Sequence, residues 1–130
     1  MVSGRYPGSR WWKFDFHTHT PASEDSQWRT NPITAEHWLT KFMEAGIDCV
    51  VVSDHNSGKW IDELQSTYAR QEALANAGTP PKWFRPLTIF PGVEISANSG
   101  VHILALFDPS MHGERISYAL ALAKFPVEKF

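Results

Sequence analysis

The sequence predicts an α/β domain with a mainly parallel sheet and flanking helices, and three features predict it. Short β-branched or aromatic runs alternate with stretches of helical periodicity. The strand Ile47 to Val52 carries consecutive apolar residues from Cys49 onward, the pattern of a parallel strand buried on both faces. Polar, ligand-type residues collect where three of the strands end. At 130 residues, 42% apolar and 20% charged, such a chain buries roughly two-thirds of its unfolded surface, enough for one domain with a core.

The elements follow in order. After a Gly/Pro/Ser-rich entry over Met1 to Arg10, Trp12 to Phe16 alternates aromatic with polar residues and predicts a strand that runs directly into His17-Thr18-His19. Pro21 and Pro32 bracket a polar loop. Thr34 is placed to cap a helix over Ala35 to Ala45, with Trp38, Leu39, Phe42 and Met43 on one face and Gly46 at its end. The strand Ile47 to Val52 ends in Ser53-Asp54-His55-Asn56. A helix from about Lys59 to Ala77 is closed by Gly78 and Pro80-Pro81. Leu87 to Phe90 predicts a third strand leading into Pro91-Gly92-Val93-Glu94, Asn98-Ser99-Gly100 a turn, Val101 to Phe107 a fourth strand, and Glu114 to Lys124 a last helix.

With 12 Lys+Arg against 14 Asp+Glu, a formal charge of −2, no global basic field holds nucleic acid or an anionic membrane. Cys49 is the one cysteine, so no intrachain disulfide is possible and a reducing, cytoplasmic setting is expected. No stretch approaches the apolar length of a membrane span. Trp11, Trp12, Trp28 and Trp83 read either as core-edge residues or as an exposed docking face.

In a parallel α/β sheet, functional groups gather at the carboxyl ends of the strands. There stand His17 and His19, Asp54 and His55, and Glu94, all of types that bind zinc, manganese or iron. Residues i and i+2 of an extended segment face the same way, so His17 and His19 can converge on one ion while Thr18 points elsewhere. Glu94 is the candidate to bridge two cations. Singly, each has an ordinary reading: a loop decorated with histidines, a helix cap at Asp54, a surface charge at Glu94. Their joint occurrence argues for a metal site. Ser53-Asp54-His55 are chain neighbours rather than an assembled triad, and Ser57-Gly58-Lys59 lacks the upstream glycine of a P-loop. Arg29, Lys59 and Arg85 read first as solvated charges.

Four segments in order, Phe16-His17-Thr18-His19-Thr20, Val52-Ser53-Asp54-His55-Asn56, Pro91-Gly92-Val93-Glu94-Ile95-Ser96 and Val101-His102-Ile103-Leu104, resemble the PHP family, named for polymerase and histidinol phosphatase domains. The text around them looks most like the PHP module that opens a class of large PHP-ATPase proteins. The resemblance implies a PHP-type distorted (β/α) barrel with two or three divalent metal ions at its carboxyl rim. Position by position it implies that His17 and His19 bind a first ion, Glu94 bridges the first and second, His102 binds the second and His55 a third. Either Glu24 or Asp25, with Asp25 preferred, completes the third. Asp54 is implied to orient a ligand histidine rather than to bind metal.

The resemblance covers only the first half of the family's domain. The later histidine and the closing Asp-x-His pair of the family have no counterpart, and His112, like His37, reads as structural or exposed. The expectation is a single domain over residues 1–130 that is truncated, split, or completed by self-association or a complementing chain. The function implied is a metal-dependent phosphoesterase acting on phosphate mono- or diesters, nucleotides or nucleic acid entering only as substrate. A metal-activated water, not a side chain, is then the nucleophile. The alternatives are a non-catalytic metal-binding or regulatory half-barrel that needs a partner chain, and a metal-dependent amidohydrolase, whose barrels also open with HxH.

Overall fold

The computed structural model describes residues 9–23 and 26–123. Glu24, Asp25, most of the Met1 to Arg10 entry and the Lys124 end of the last helix lie outside the described residues. Four strands form one curled sheet, half of a barrel, in the order β1 (Phe14–Thr18), β2 (Cys49–Val52), β3 (Thr88–Ser96), β4 (His102–Leu106). The β1–β2 and β2–β3 pairs are parallel and the β3–β4 pair antiparallel. The expected α/β sheet with mainly parallel strands is therefore present.

Helix α1 (Ser26–Thr30) is a short piece of the loop after β1. Helix α2 (Ala35–Glu44) starts where Thr34 accepts a hydrogen bond from the His37 amide at 3.2 Å. It ends where Gly46, at φ +73°, takes the left-handed conformation that closes helices. Helix α3 (Ile61–Asn76) begins two residues later than its periodicity predicts, because the Gly58 carbonyl turns back onto the Ile61 amide. Helix α4 (Gly113–Leu122) borrows its cap from α3: Asp62 Oδ1 accepts the Gly113 amide at 2.9 Å. Against one face of the sheet these helices pack Trp38, Leu39, Met43, Ile61, Leu64, Ile116 and Leu120 onto Val50, Val52, Ile89 and Val93. The other face carries Phe14, stacked on Phe16 at 4.1 Å between centroids and 5.2 Å from Phe90, and there Phe16 and Leu106 are exposed.

β2 starts two residues later than expected and β4 is one residue shorter at each end; the other two strands differ in kind. β1 is displaced toward the histidines: pairing starts at Phe14 opposite Cys49, and Trp11 and Trp12 stay exposed. β3 does not stop at Phe90. Pro91 and Gly92 read as a turn in sequence, yet here the strand changes partner, from β2 up to Pro91 to β4 from Gly92 onward. A proline is tolerated at this junction, where its carbonyl accepts the Phe107 amide at 2.8 Å. Gly92 is needed because a Cβ there would stand 2.9 Å from the Ala105 carbonyl oxygen and 3.0 Å from that of Val52.

Candidate metal centre

A bulge in β1 builds the first part of the site. Asp15 is opposite Val50 and Thr18 opposite Val52, so β1 holds one residue more than its partner across this interval. Thr18 turns inward and donates to the Val51 carbonyl at 2.5 Å, which leaves His17 and His19 on the rim. The second part comes from β3: the Glu94 amide donates to the Asp54 carbonyl at 3.0 Å and the Asn56 amide to the Glu94 carbonyl at 3.1 Å. This isolated bridge extends the sheet by one pair and sets His55 beside Glu94. β4 delivers His102 from across the antiparallel pair.

Glu94 is buried, with its side chain 4% exposed, and four imidazoles face it. Its Oε2 lies 2.9 Å from His17 Nε2, 3.2 Å from His19 Nε2 and 3.4 Å from His55 Nδ1, and its Oε1 lies 2.5 Å from His102 Nδ1. His17 Nε2 and His19 Nε2 are 3.2 Å apart. Ligand atoms about 2.1 Å from one ion stand about 3.0 Å apart along an octahedral edge and about 3.4 Å along a tetrahedral one. The triangle of His17, His19 and Glu94 Oε2 has edges of this length. The donors fall into two groups, His17-His19-Glu94 and His55-Glu94-His102, and Glu94 belongs to both.

The hydrogen-bond network fixes which nitrogen of His19 faces this triangle. Asp54, 1% exposed, accepts from the Thr20 amide and the Thr20 hydroxyl, both at 2.5 Å, and from the Ser23 hydroxyl at 2.8 Å. With its proton given to Asp54, Ser23 Oγ can only accept, and it does so from the His55 amide at 3.2 Å and from His19 Nδ1 at 3.0 Å. The His19 proton therefore sits on Nδ1, assigned from this network. Its Nε2 lone pair then points at a carboxylate oxygen and a second imidazole, an arrangement that a cation resolves. The donor set fits a divalent transition ion.

The electrostatics agree. Burial and the field of His55 hold the His19 pKa below its ordinary value and so favour the neutral ring. Burial pushes Glu94 up, but the His17 hydrogen bond and the fields of His55, His17 and His19 outweigh it and hold the carboxyl below its usual range. Burial pushes Asp54 up despite its three hydrogen bonds. Asp54 joins neither donor group; it reaches His19 through Ser23.

Of the residues singled out in the sequence, His17, His19, His55, Glu94 and His102 come together. The geometry groups His55 with Glu94 and His102. His112 is exposed, 3.7 Å from Asp62, and Arg85 pairs with Asp48 at 2.8 Å. Arg29 and Lys59 are exposed. Sequence reasoning missed Thr20 and Ser23, which in the text HTHTPAS look like ordinary turn residues.

No protein-family model matches the chain. No curated protein gives a significant match. Among solved structures, similarity is found to a crystal structure from Bifidobacterium adolescentis of a protein named, by inference, a metal-dependent phosphoesterase: 26% identity over 87% of this chain and 33% of that one, with a TM-score of 0.48. The chain thus spans about a third of that protein's length. Among the described residues no helix is long and apolar enough to cross a membrane.

Proposed function

We propose that this chain binds divalent metal and, so loaded, hydrolyses phosphate esters. The observation that carries the metal reading is the shared carboxylate: Glu94 turns Oε2 to one set of imidazoles and Oε1 to another, the arrangement of a bridging ligand. His17 and His19 would hold one ion and His102 another, with His55 at the second or at a third that Asp25 or Glu24 completes. The phosphoesterase reading adds to this geometry the resemblance of four segments to the PHP family.

A bound ion would supply Lewis acidity toward a phosphoryl oxygen and acidify a water to serve as nucleophile. This chain's own residues hold the place for that chemistry. Ser23 keeps the His19 proton on Nδ1, Asp54 fixes Ser23, and the bulge at β1 turns two imidazoles to one side. Half-exposed His17 and His102 leave the centre open to a substrate. We read residues 1–130 as a single domain corresponding to the first half of the PHP fold, and buried Cys49 fits a reducing compartment such as the cytoplasm.

Metal content after native purification and reconstitution tests the first half of the proposal, with at least one ion per chain expected. Hydrolysis of bis-p-nitrophenyl phosphate, lost to a chelator and restored by manganese or zinc, tests the second. Less than one ion per chain overturns both.

A second reading rests on the open sheet face. Exposed Phe16 on edge strand β1 and exposed Leu106 on edge strand β4 fit a non-catalytic metal-binding half-barrel that docks to a partner or a second copy. Full metal loading without hydrolysis, together with metal-dependent dimerisation in light scattering, selects this reading.

A further inference from the structure

The loop after β2 carries His55 to the metal centre, and its far end is wedged against another helix. Gly58, buried in this loop, lies against Gly113, buried at the start of α4. A Cβ on Gly58 would stand 2.9 Å from Ile116 Cβ and 3.0 Å from the Gly113 carbonyl oxygen, and a Cβ on Gly113 would overlap the Gly58 carbonyl oxygen. Neither glycine takes a positive φ. Conformation does not require glycine at either place; the close approach of loop and helix does.

The helix side of this contact is anchored. Asp62 Oδ1 accepts the Gly113 amide at 2.9 Å, and Gln65 Nε2 donates to the carbonyls of Pro109 and Met111 at 3.1 and 2.9 Å. Both side chains come from α3, and Ile116 is fully buried in the core. On the loop side, two residues separate Gly58 from His55. One is Asn56, which takes the left-handed conformation at φ +48° and donates its amide to the Glu94 carbonyl at 3.1 Å. A shift of Gly58 away from α4 therefore has little chain in which to dissipate before it reaches the bridge between His55 and Glu94. His17 and His19 are carried by β1 instead, and His55 meets their network at Ser23 Oγ, which accepts the His55 amide at 3.2 Å.

We infer that the contact between Gly58 and Gly113 positions His55: α4, seated on the loop, sets the place of the imidazole beside Glu94 and with it the affinity of the group His55-Glu94-His102 for an ion. The inference rests on the metal reading for the ion alone; the positioning is a property of the metal-free chain. Gly58 and Gly113 are positioning residues and carry no ligand atom.

Gly113→Ala tests it with two readouts. Alanine is the better helix former, so α4 itself is not weakened while the added methyl presses on the Gly58 carbonyl. Hydrogen exchange of the chelator-treated full chain reports position. The Asn56 amide should exchange about 10-fold faster, the scale of one weakened hydrogen bond. The Ser53 amide, which donates to the Thr18 carbonyl at 2.9 Å, should keep its rate. Manganese titration reports the consequence: the binding step that His55→Ala abolishes should weaken about 10-fold, the lower end of what loss of an outer partner costs. The step that His17→Ala abolishes should change less. If Gly113→Ala does not fold, Asp62→Ala serves: it removes the acceptor of the Gly113 amide at an exposed position and should move both readouts in the same direction by several-fold.

Unchanged exchange at Asn56 in the folded variant overturns the positioning and leaves the metal reading intact. Equal acceleration at Asn56 and Ser53, or equal weakening of the two manganese steps, overturns it as well, because the contact then acts on the fold as a whole. Faster exchange at Asn56 alone, in a chain that binds no manganese, supports the positioning and removes the metal reading.

Discussion

The two ends of the sheet each carry a partly or fully buried carboxylate, and they treat it differently. Near the start of β2, Asp48 meets one guanidinium, Arg85 at 2.8 Å, and one amide, that of Lys13 at 2.9 Å. Donors and acceptors balance, and the pair stitches the loop before β3 to β2. At the carboxyl end of β3, Glu94 meets four imidazoles, of which His17 and His19 also crowd each other at 3.2 Å. A matched pair completes itself. A carboxylate with a surplus of lone-pair donors around it is arranged for something the protein chain does not supply.

The sharpest way to break this contrast is to neutralise each acid in turn. Glu94→Gln keeps the shape and removes the bridging charge, and it should lower metal affinity and any metal-dependent hydrolysis by more than about 100-fold, since loss of an outer partner alone costs about 10- to 100-fold. Asp48→Asn should leave metal content unchanged and cost no more than about 1 kcal/mol in chemical denaturation, the range of a partly exposed ion pair. Equal metal loss in the two variants would erase the distinction between the ends.

The next largest effect is expected at Asp54. Its two oxygens accept three hydrogen bonds. In Asp54→Ala all three acceptor contacts go, freeing Ser23 and with it the tautomer of His19. Metal affinity should fall about 10- to 100-fold with the fold retained, as read by titration with manganese and by circular dichroism. Undiminished affinity would show that the Asp54-Ser23 link does not act on His19.

The Glu94 side of this contrast was legible in the sequence; the Asp48–Arg85 pair was not, since Arg85 reads there as a solvated charge. β2 was readable because four consecutive β-branched or apolar residues with no polar face have few other uses than a doubly buried strand. His17 and His19 were readable because their spacing keeps two side chains on one side of an extended segment. The run through Pro91-Gly92 was not, because local turn chemistry at a Pro-Gly pair is overridden by pairing with two partners on either side of it, which only tertiary structure reveals. The bulge is likewise a relation between two strands. Ser23 carries its role through the proton it gives to Asp54, 31 residues away, and no spacing announces that.

A smaller effect is expected from pH. The His19 pKa in the fold lies below its ordinary 6.5, so between those two values the unfolded chain binds more protons than the folded one, and stability falls as the pH drops through about 6.5. Glu94, also held low, adds loss in the same direction below its ordinary 4.5. Asp54, held high, opposes it by favouring the protonated folded form. Chelator-treated protein should therefore show a falling melting temperature on going from pH 7 to pH 6, a step below the range where the carboxylates titrate. A His19→Gln variant should flatten that step, and an unchanged slope would remove His19 as its source.

The smallest expected effect is the control at the far surface. His112→Ala removes an exposed ring beside Asp62, and should change neither metal content nor stability by more than about 0.5 kcal/mol. A larger metal loss would mean that histidines contribute by number rather than by position.

Gly92 gives the centre a tolerance set by backbone alone. Val51 Cγ1 and the carbonyl oxygens of Val52 and Ala105 leave no room for a methyl group at this position, and Glu94 lies two residues further along the same strand. An alanine here would force the strand backbone that carries Glu94 to shift while leaving every proposed ligand in place. Ions differ in how much such distortion they accept: manganese and calcium tolerate irregular shells, whereas magnesium demands near-regular ones. On the proposed metal reading, cation preference is expected to respond to a residue outside both donor groups, and a survey of Gly92 variants across a metal series would read that response directly.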